Sequence, residues 1–302
     1  MSAAETRSIQ DELTPPFDIL QPAVQAIPLV FCSPHSGRIY PRVLLESSRL
    51  NARALRKSED CFVEELFSSA PSIGAPLISA RFPRAYLDVN REPYELDPEL
   101  IRERLPDYAN TQSVRVIGGL GTIARVVSEA EEIYRGPLAL DAAMARIDRL
   151  YKPFHAALAS LLKQARDRFG VAVLIDCHSM PSATLPGSAH ASGRPDFVLG
   201  DRFGVSCEPR LTRFLKEALG KLGYEVTLNR PYAGGYITEH YGRPGMGFHA
   251  VQIEINHALY LNEDSLSKTA GFVRLQADLR SVMERLAREF TFVTKPRAAA
   301  AE

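Results

Sequence analysis

Two histidines stand where a metal would need them. His35, in S-P-H-S-G, follows the apolar run at 28–33, and His178, in D-C-H-S-M-P, follows the apolar run at 171–176. Each therefore sits just past the carboxyl end of a strand-like segment, with Pro34 and Gly37 turning the chain around the first and Ser179 and Pro181 around the second. Imidazoles on short loops anchored by rigid strands suit a metal, whose ligands are held at about 2 Å. Either one alone reads equally well as a loop histidine hydrogen-bonded to backbone; their matched placement favours a shared ion. A catalytic zinc takes three protein ligands and keeps a position for water. Glu59 and Asp60, in S-E-D-C-F-V-E-E-L at 58–66, open an amphipathic helical stretch and serve equally as helix-capping acids or as a third ligand.

Glu254 is the most informative single residue. In H-A-V-Q-I-E-I-N, Val251, Ile253 and Ile255 share one strand face, and Ala250, Gln252 and Glu254 share the other. Both faces of an internal strand are normally apolar, so a carboxylate there needs a partner or a task. Beside activated water, it can take a proton and return it to a leaving amine. The stretch at 81–98 gathers Arg81, Arg84, Asp88, Asn90 and Arg91. Arg91 and Asn90 match a substrate carboxylate, and the same groups also make a surface ion-pair network. The glycines of G-G-L-G-T at 118–122 and of A-G-G-Y at 233–236, Gly235 among them, permit close backbone approach to a ligand. Neither piece has the spacing of a phosphate loop. Cys177 adjoins His178, but neighbours in an extended segment point in opposite directions, which disfavours a thiol nucleophile.

These residues have to be positioned by secondary structure. Short apolar runs at 28–33, 75–82, 86–90, 171–176, 196–201, 224–229 and 249–256 read as strands. Between them, Met144, Ile147, Tyr151, Phe154, Leu158 and Leu161 recur at helical spacing, with Pro153 expected to kink that helix. A second helix carries Phe272, Leu275, Leu279, Val282, Leu286 and Phe290 on one face, with Glu263 and Asp264 expected near its N-terminus. Interleaved strands and helices predict a single α/β domain around a mostly parallel or mixed sheet, with ligands at the carboxyl ends of the strands. Residues 1–14 and 295–302 lack apolar periodicity and are expected to be mobile tails around a domain at 15–294.

Composition excludes several classes. The 302 residues carry 36 basic and 36 acidic side chains, so no general basic field attracts nucleic acid or an anionic membrane. No apolar stretch approaches the roughly 18–20 residues needed to cross a bilayer. Four cysteines without a CxxC pair and a polar N-terminus lead to the expectation of a reduced, cytoplasmic setting. Nothing in the sequence sets an oligomeric state.

The segments P-H-S-G-R-I-Y-P, D-V-N-R, I-D-C-H-S-M, P-D-F-V-L-G-D-R-F-G-V-S-C and G-G-Y-I-T-E-H-Y-G-R-P-G-M-G-F-H-A-V-Q-I-E-I-N, in this order across about residues 28–262, resemble the N-formylglutamate amidohydrolase family. The resemblance implies a mixed sheet of about eight strands flanked by helices, of the zinc-carboxypeptidase kind. It implies that His35, Asp60 and His178 hold Zn²⁺ or another divalent metal, and that Glu254 activates water. It implies that Arg91 binds a carboxylate or polarises the carbonyl, with Asn90, Arg84 and His249 near it. The implied reaction is cleavage of the amide of a small N-acyl or N-formyl amino acid bearing a carboxylate. After D-V-N-R the chain runs directly into E-P-Y-E-L-D-P, a departure that leaves the acyl group and amino-acid side chain open. A peptide or another amidated metabolite is the alternative substrate. A non-catalytic protein that retains a metal is the remaining reading, and Glu254 argues against it, since a structural zinc needs no free carboxylate beside it.

Overall fold

The computed structural model describes residues 3–127, 131–183 and 195–291. Six of the seven apolar runs become strands, β2 (Leu29–Ser33), β3 (Leu77–Ala80), β4 (Ala172–Met180), β5 (Phe197–Gly200), β6 (Val226–Leu228) and β7 (Phe248–Asn256), and an unexpected one, β1 (Phe17–Leu20), precedes them. They form one mixed seven-stranded sheet in the order β1-β3-β2-β4-β7-β5-β6, close to the eight strands expected. A separate antiparallel pair joins β8 (Leu261–Asn262) to β9 (Ser267–Lys268). The helices are α1 (Ala3–Glu12), α2 (Arg42–Ser47), α3 (Ala52–Leu55), α4 (Val63–Leu66), α5 (Val114–Ile117), α6 (Leu140–Arg146), α7 (Lys152–Phe169), α8 (Pro209–Gly220), α9 (Tyr236–Tyr241) and α10 (Gly271–Thr291). The architecture is thus the α/β domain with a helix-flanked mixed sheet that the interleaved pattern predicts.

The central strands explain the sheet. Every residue of β2 and β4 is buried, as parallel strands covered on both faces require. β4 pairs in parallel with β2 and with β7, whereas β5 runs antiparallel to β7 and parallel to β6. The β4–β7 register places Asp176 opposite Gln252 and His178 opposite Glu254. Partners in a parallel ladder point to the same face, so four polar side chains share one patch of a buried sheet.

By backbone packing the chain divides into two compact units, the first made of residues 1–18, 33–61 and 78–159, the second of 19–32, 62–77 and 160–302. The first unit departs from expectation three times. Residues 3–12 are helical rather than mobile: Ile9 and Leu13 are buried, and Glu5 pairs with the fully buried Arg146 while accepting from the Tyr86 hydroxyl. Residues 86–90 form turns, not a strand. Pro83 starts the turn by accepting from the Tyr86 N–H at 2.9 Å, and Asp88 N–H bonds the Thr122 carbonyl at 2.8 Å. Pro153 falls inside the helical run, but the chain accommodates it with a π-turn over Ile147–Tyr151, from whose end α7 continues; a wider turn relieves the clash and the missing donor of proline.

The second unit holds β4 to β7 and the long α10, whose Leu275, Leu279, Val282 and Leu286 are buried as the spacing predicts. Glu263 does not serve the α10 N-terminus. It binds the Ser182 N–H at 2.8 Å and His257 Nδ1 at 2.9 Å, and the Gly271 N–H finds the Thr269 hydroxyl instead. Residues 295–302 lie outside the described residues.

Candidate metal centre

In the first unit, the loop after β2 is held by its glycine. A side chain on Gly37 would run into the Phe82 backbone, so only glycine lets the loop pass this close. His35 is 1% exposed. Its carbonyl accepts from the Asp60 N–H at 3.0 Å, and its Nδ1 lies 3.6 Å from Asp60 Oδ2. Its Nε2 bonds Asp88 Oδ1 at 2.7 Å. Glu59, the competing acid, is turned away: Arg56 grips both its oxygens, at 2.8 and 3.1 Å, and the Tyr40 hydroxyl donates to it at 3.2 Å. Two adjacent carboxylates thus have different tasks, and the one beside the histidine is Asp60.

Asp88 is the hub of this side. Besides His35 it accepts from the Asn90 N–H at 2.8 Å and from Arg84 Nη2 at 2.8 Å, with Arg91 Nη2 at 3.6 Å. Burial alone would raise its pKa, but Arg91, Arg84 and His35 outweigh that and hold the carboxyl well below the usual range. Arg91 is 8% exposed and fixed by backbone, its Nε on the Leu120 carbonyl and its Nη1 on the Asn90 carbonyl, both at 2.8 Å.

In the second unit, the four residues in register are tied in two pairs. His178 Nε2 bonds Asp176 Oδ1 at 3.0 Å, and Asp176 Oδ2 accepts from the Thr238 hydroxyl at 3.0 Å. Gln252 Nε2 donates to Glu254 Oε1 at 2.7 Å, and Gln252 Oε1 accepts from the Gly235 N–H at 2.7 Å. Gly200 makes the last contact available: a Cβ there would sit 2.6 Å from the Gly234 nitrogen, so glycine lets the A-G-G-Y backbone lie against the sheet. Gly235 therefore acts through Gln252. Cys177 points to the opposite face, fully buried, and its thiol pKa is driven well up by burial and by Asp176, which agrees with its exclusion as a nucleophile.

One ligand atom each from His35, Asp60 and His178 lies within 4.8 Å of the others, and all three residues are buried. Ligands about 2 Å from one ion are spaced within that limit. The donor chemistry fits as well. Each histidine turns Nε2 to an aspartate; a carboxylate there favours the tautomer with its proton on Nε2, the form in which Nδ1 can ligate an ion. Two imidazoles and a carboxylate, with an acid behind each imidazole, are a donor set that could hold a divalent metal.

Of the other expected residues, His249 is not brought to this group. It lies five residues before Glu254 on β7, about 16 Å away at 3.3 Å per residue, and its odd position turns it to the opposite face. There it accepts from the Glu208 N–H at 3.2 Å and lines a cavity of about 280 Å³ with Val171, Leu211 and Phe214. Its pKa is lowered by burial, against the opposing effect of Glu208. Three supports escaped the sequence reading: Asp88 as a histidine partner, Asp176 and Gln252. The last two were signalled by spacing, since each stands two residues before the side chain it holds and so on the same strand face.

Comparison with known proteins places this arrangement. The profile of the family described as FGase, N-formylglutamate amidohydrolase, matches residues 27–261. The chain belongs to this family. Among its relatives, the N-formylglutamate deformylase of Pseudomonas putida is 30% identical over 78% of this chain and 83% of its own length. The enzyme of the same name from Pseudomonas aeruginosa is 31% identical, over 79% and 84% respectively. The crystal structure of N-formylglutamate amidohydrolase from Ralstonia eutropha JMP134 superposes with a TM-score of 0.85 at 35% identity, covering 91% of this chain and 98% of that one. The family match spans His35, Asp60, His178 and Glu254 alike.

Proposed function

We propose that this chain is a zinc-dependent amidohydrolase of N-formylglutamate or close N-acyl relatives, releasing formate, or the corresponding acid, and the free amino acid. The observation that carries the reading is Glu254, buried and in register with His178 beside the His35–Asp60–His178 group. The names of the curated relatives point the same way. His35, Asp60 and His178 would hold the ion, which when bound supplies Lewis acidity and lowers the pKa of water; imidazole and carboxylate donors also accept other divalent ions.

The chain's own groups carry the proton and the substrate. Glu254, which accepts from Gln252 through Oε1, takes the proton of the attacking water and returns it to the amide nitrogen as that bond breaks. Gln252, held by the Gly235 N–H, fixes the carboxylate's rotamer. Arg91, with Asn90 and Arg84 near it, receives a substrate carboxylate; its backbone anchors cost it little entropy on binding. Among the described residues no helix is long and apolar enough to cross a membrane. The four free, buried cysteines agree with a reducing, cytoplasmic setting.

Metal analysis joined to a hydrolysis assay tests the reading. The expected result is about one zinc per chain, with N-formylglutamate cleaved faster than N-acetylglutamate or a dipeptide. Chelation should abolish activity and zinc restore it. Full activity at sub-stoichiometric metal, or a preference for the dipeptide, would overturn it.

A further inference from the structure

The loop that anchors Arg91 carries a second guanidinium with no task in the first unit. Arg115 sits in α5, which Ser113 caps by accepting from the Val116 N–H. Its carbonyl takes the Leu120 N–H at 2.7 Å, and the Leu120 carbonyl in turn takes Arg91 Nε at 2.8 Å. Two hydrogen bonds and one residue thus separate the Arg115 backbone from the Arg91 fork, and Arg115 is near enough for its charge to oppose that of Arg91. Among the described residues its side chain makes no ion pair or hydrogen bond. Arg125, ten residues on, contrasts with it, bonding Asp97 and reaching Glu99 and Glu132.

Val114, Ile117 and Leu120 are exposed beside Arg115, at 85%, 68% and 37%, an apolar border on a largely exposed segment in which Val116 is buried. The loop is not loose: Thr122 N–H bonds the Glu95 carbonyl at 2.9 Å, and Gly121 lies so close to that carbonyl that a side chain would collide with it. In charge, three guanidinia, Arg84, Arg91 and Arg115, face two carboxylates, Asp88 and Glu95, within the set that acts on Arg91 or Asp88. Arg91 offers a partner to one carboxylate, and Arg115, which has no ion pair of its own among the described residues, offers one to a second carried by the same molecule.

We propose that Arg115 is the specificity residue that binds the side-chain carboxylate of an N-acyl dicarboxylic amino acid, with its methylenes against Val114, Ile117 and Leu120, while Arg91 holds the other carboxylate. The inference rests on the proposed hydrolase activity. It makes the preference for an acidic side chain a property of one exposed arginine.

The test compares N-formylglutamate with its uncharged isostere N-formylglutamine in the zinc-loaded full chain, as wild type, Arg115→Gln and Arg115→Lys. An exposed charge-assisted contact supports a loss of about tenfold to a hundredfold. In Arg115→Gln, kcat/KM for formylglutamate should fall by that factor through KM, and the formylglutamate-to-formylglutamine ratio should fall with it. Arg115→Lys should recover part of the ratio, a pattern that a structural role would not produce. A ratio unchanged in Arg115→Gln, or equal losses on both substrates, overturns the inference and leaves the hydrolase reading standing. A wild type inactive on both substrates overturns the two together.

Discussion

The paired strands β4 and β7 bury polar side chains at the carboxyl end of both and, through His249 of β7, at the amino end, with different results. At the carboxyl end, His178 and Glu254 are each backed by another side chain two residues earlier, Asp176 and Gln252, and each of those is held again, by Thr238 and by the Gly235 N–H. At the amino end, His249 has one hydrogen bond among the described residues, from the Glu208 backbone, and lines a cavity with Val171, Leu211, Phe214, Pro244 and the Arg210–Glu289 pair. Burial is similar, 3% exposed for His178 and 8% for His249. What separates the imidazole proposed to hold a metal from the packed one is the side chain behind it, which fixes the ring's proton and orientation.

The sharpest way to break this comparison is at the end proposed to be catalytic. Glu254→Gln keeps the shape and the contact to Gln252 but removes the base, so kcat should fall by about 10³-fold, within the range general-base catalysis supplies, while zinc content stays at the wild-type level. Full activity in this variant, measured beside metal analysis, would refute the role of Glu254. Asp176→Asn probes the layer behind. An amide at that position can donate to His178 Nε2 and so favours the wrong tautomer, and zinc affinity measured by chelator competition should weaken by about tenfold to a hundredfold. Wild-type affinity would reduce Asp176 to a packing group.

These supports also mark the limit of what the residues disclose in advance. His35 and His178 stood out because each follows an apolar run, although His178 lies inside β4 and not on a loop after it, and Glu254 because a charge inside a buried strand has few bland explanations. Asp60 was not separable from Glu59 by pattern alone; what separates them is Arg56 and Tyr40, which hold Glu59 and leave Asp60 beside His35. The helix at Ala3–Glu12 was invisible for a similar reason, since its anchor is the buried pairing of Glu5 with Arg146, a contact spanning 141 residues that no local periodicity encodes. Residues 86–90 alternate like a strand, yet the Pro83 carbonyl and the Asn90–Asp88 contact turn them. His249 is the opposite case. Its position, odd where Glu254 is even, already assigned it to the other face, and the family resemblance outweighed a signal that elementary strand geometry contained.

The smallest expected effect therefore sits at His249. His249→Phe keeps a flat ring among Leu211 and Phe214 and deprives only the Glu208 N–H, which water can serve, so kcat/KM should stay within about twofold and stability within about 1 kcal/mol. The pH dependence has a definite sign. Burial lowers the His249 pKa below its ordinary value near 6.5, against the pull of Glu208, with Arg210 and Glu289 paired across the same cavity. The unfolded chain then binds a proton that the folded chain resists, so this residue's contribution is complete above pH 6.5 and is lost as pH falls below it. Urea unfolding of both proteins at pH 7.5 and 5.5 should find the variant gaining on the wild type at the lower pH. A variant that instead loses activity would mean that the amino end of β7 communicates with the carboxyl end, and the contrast between the two histidines would fail.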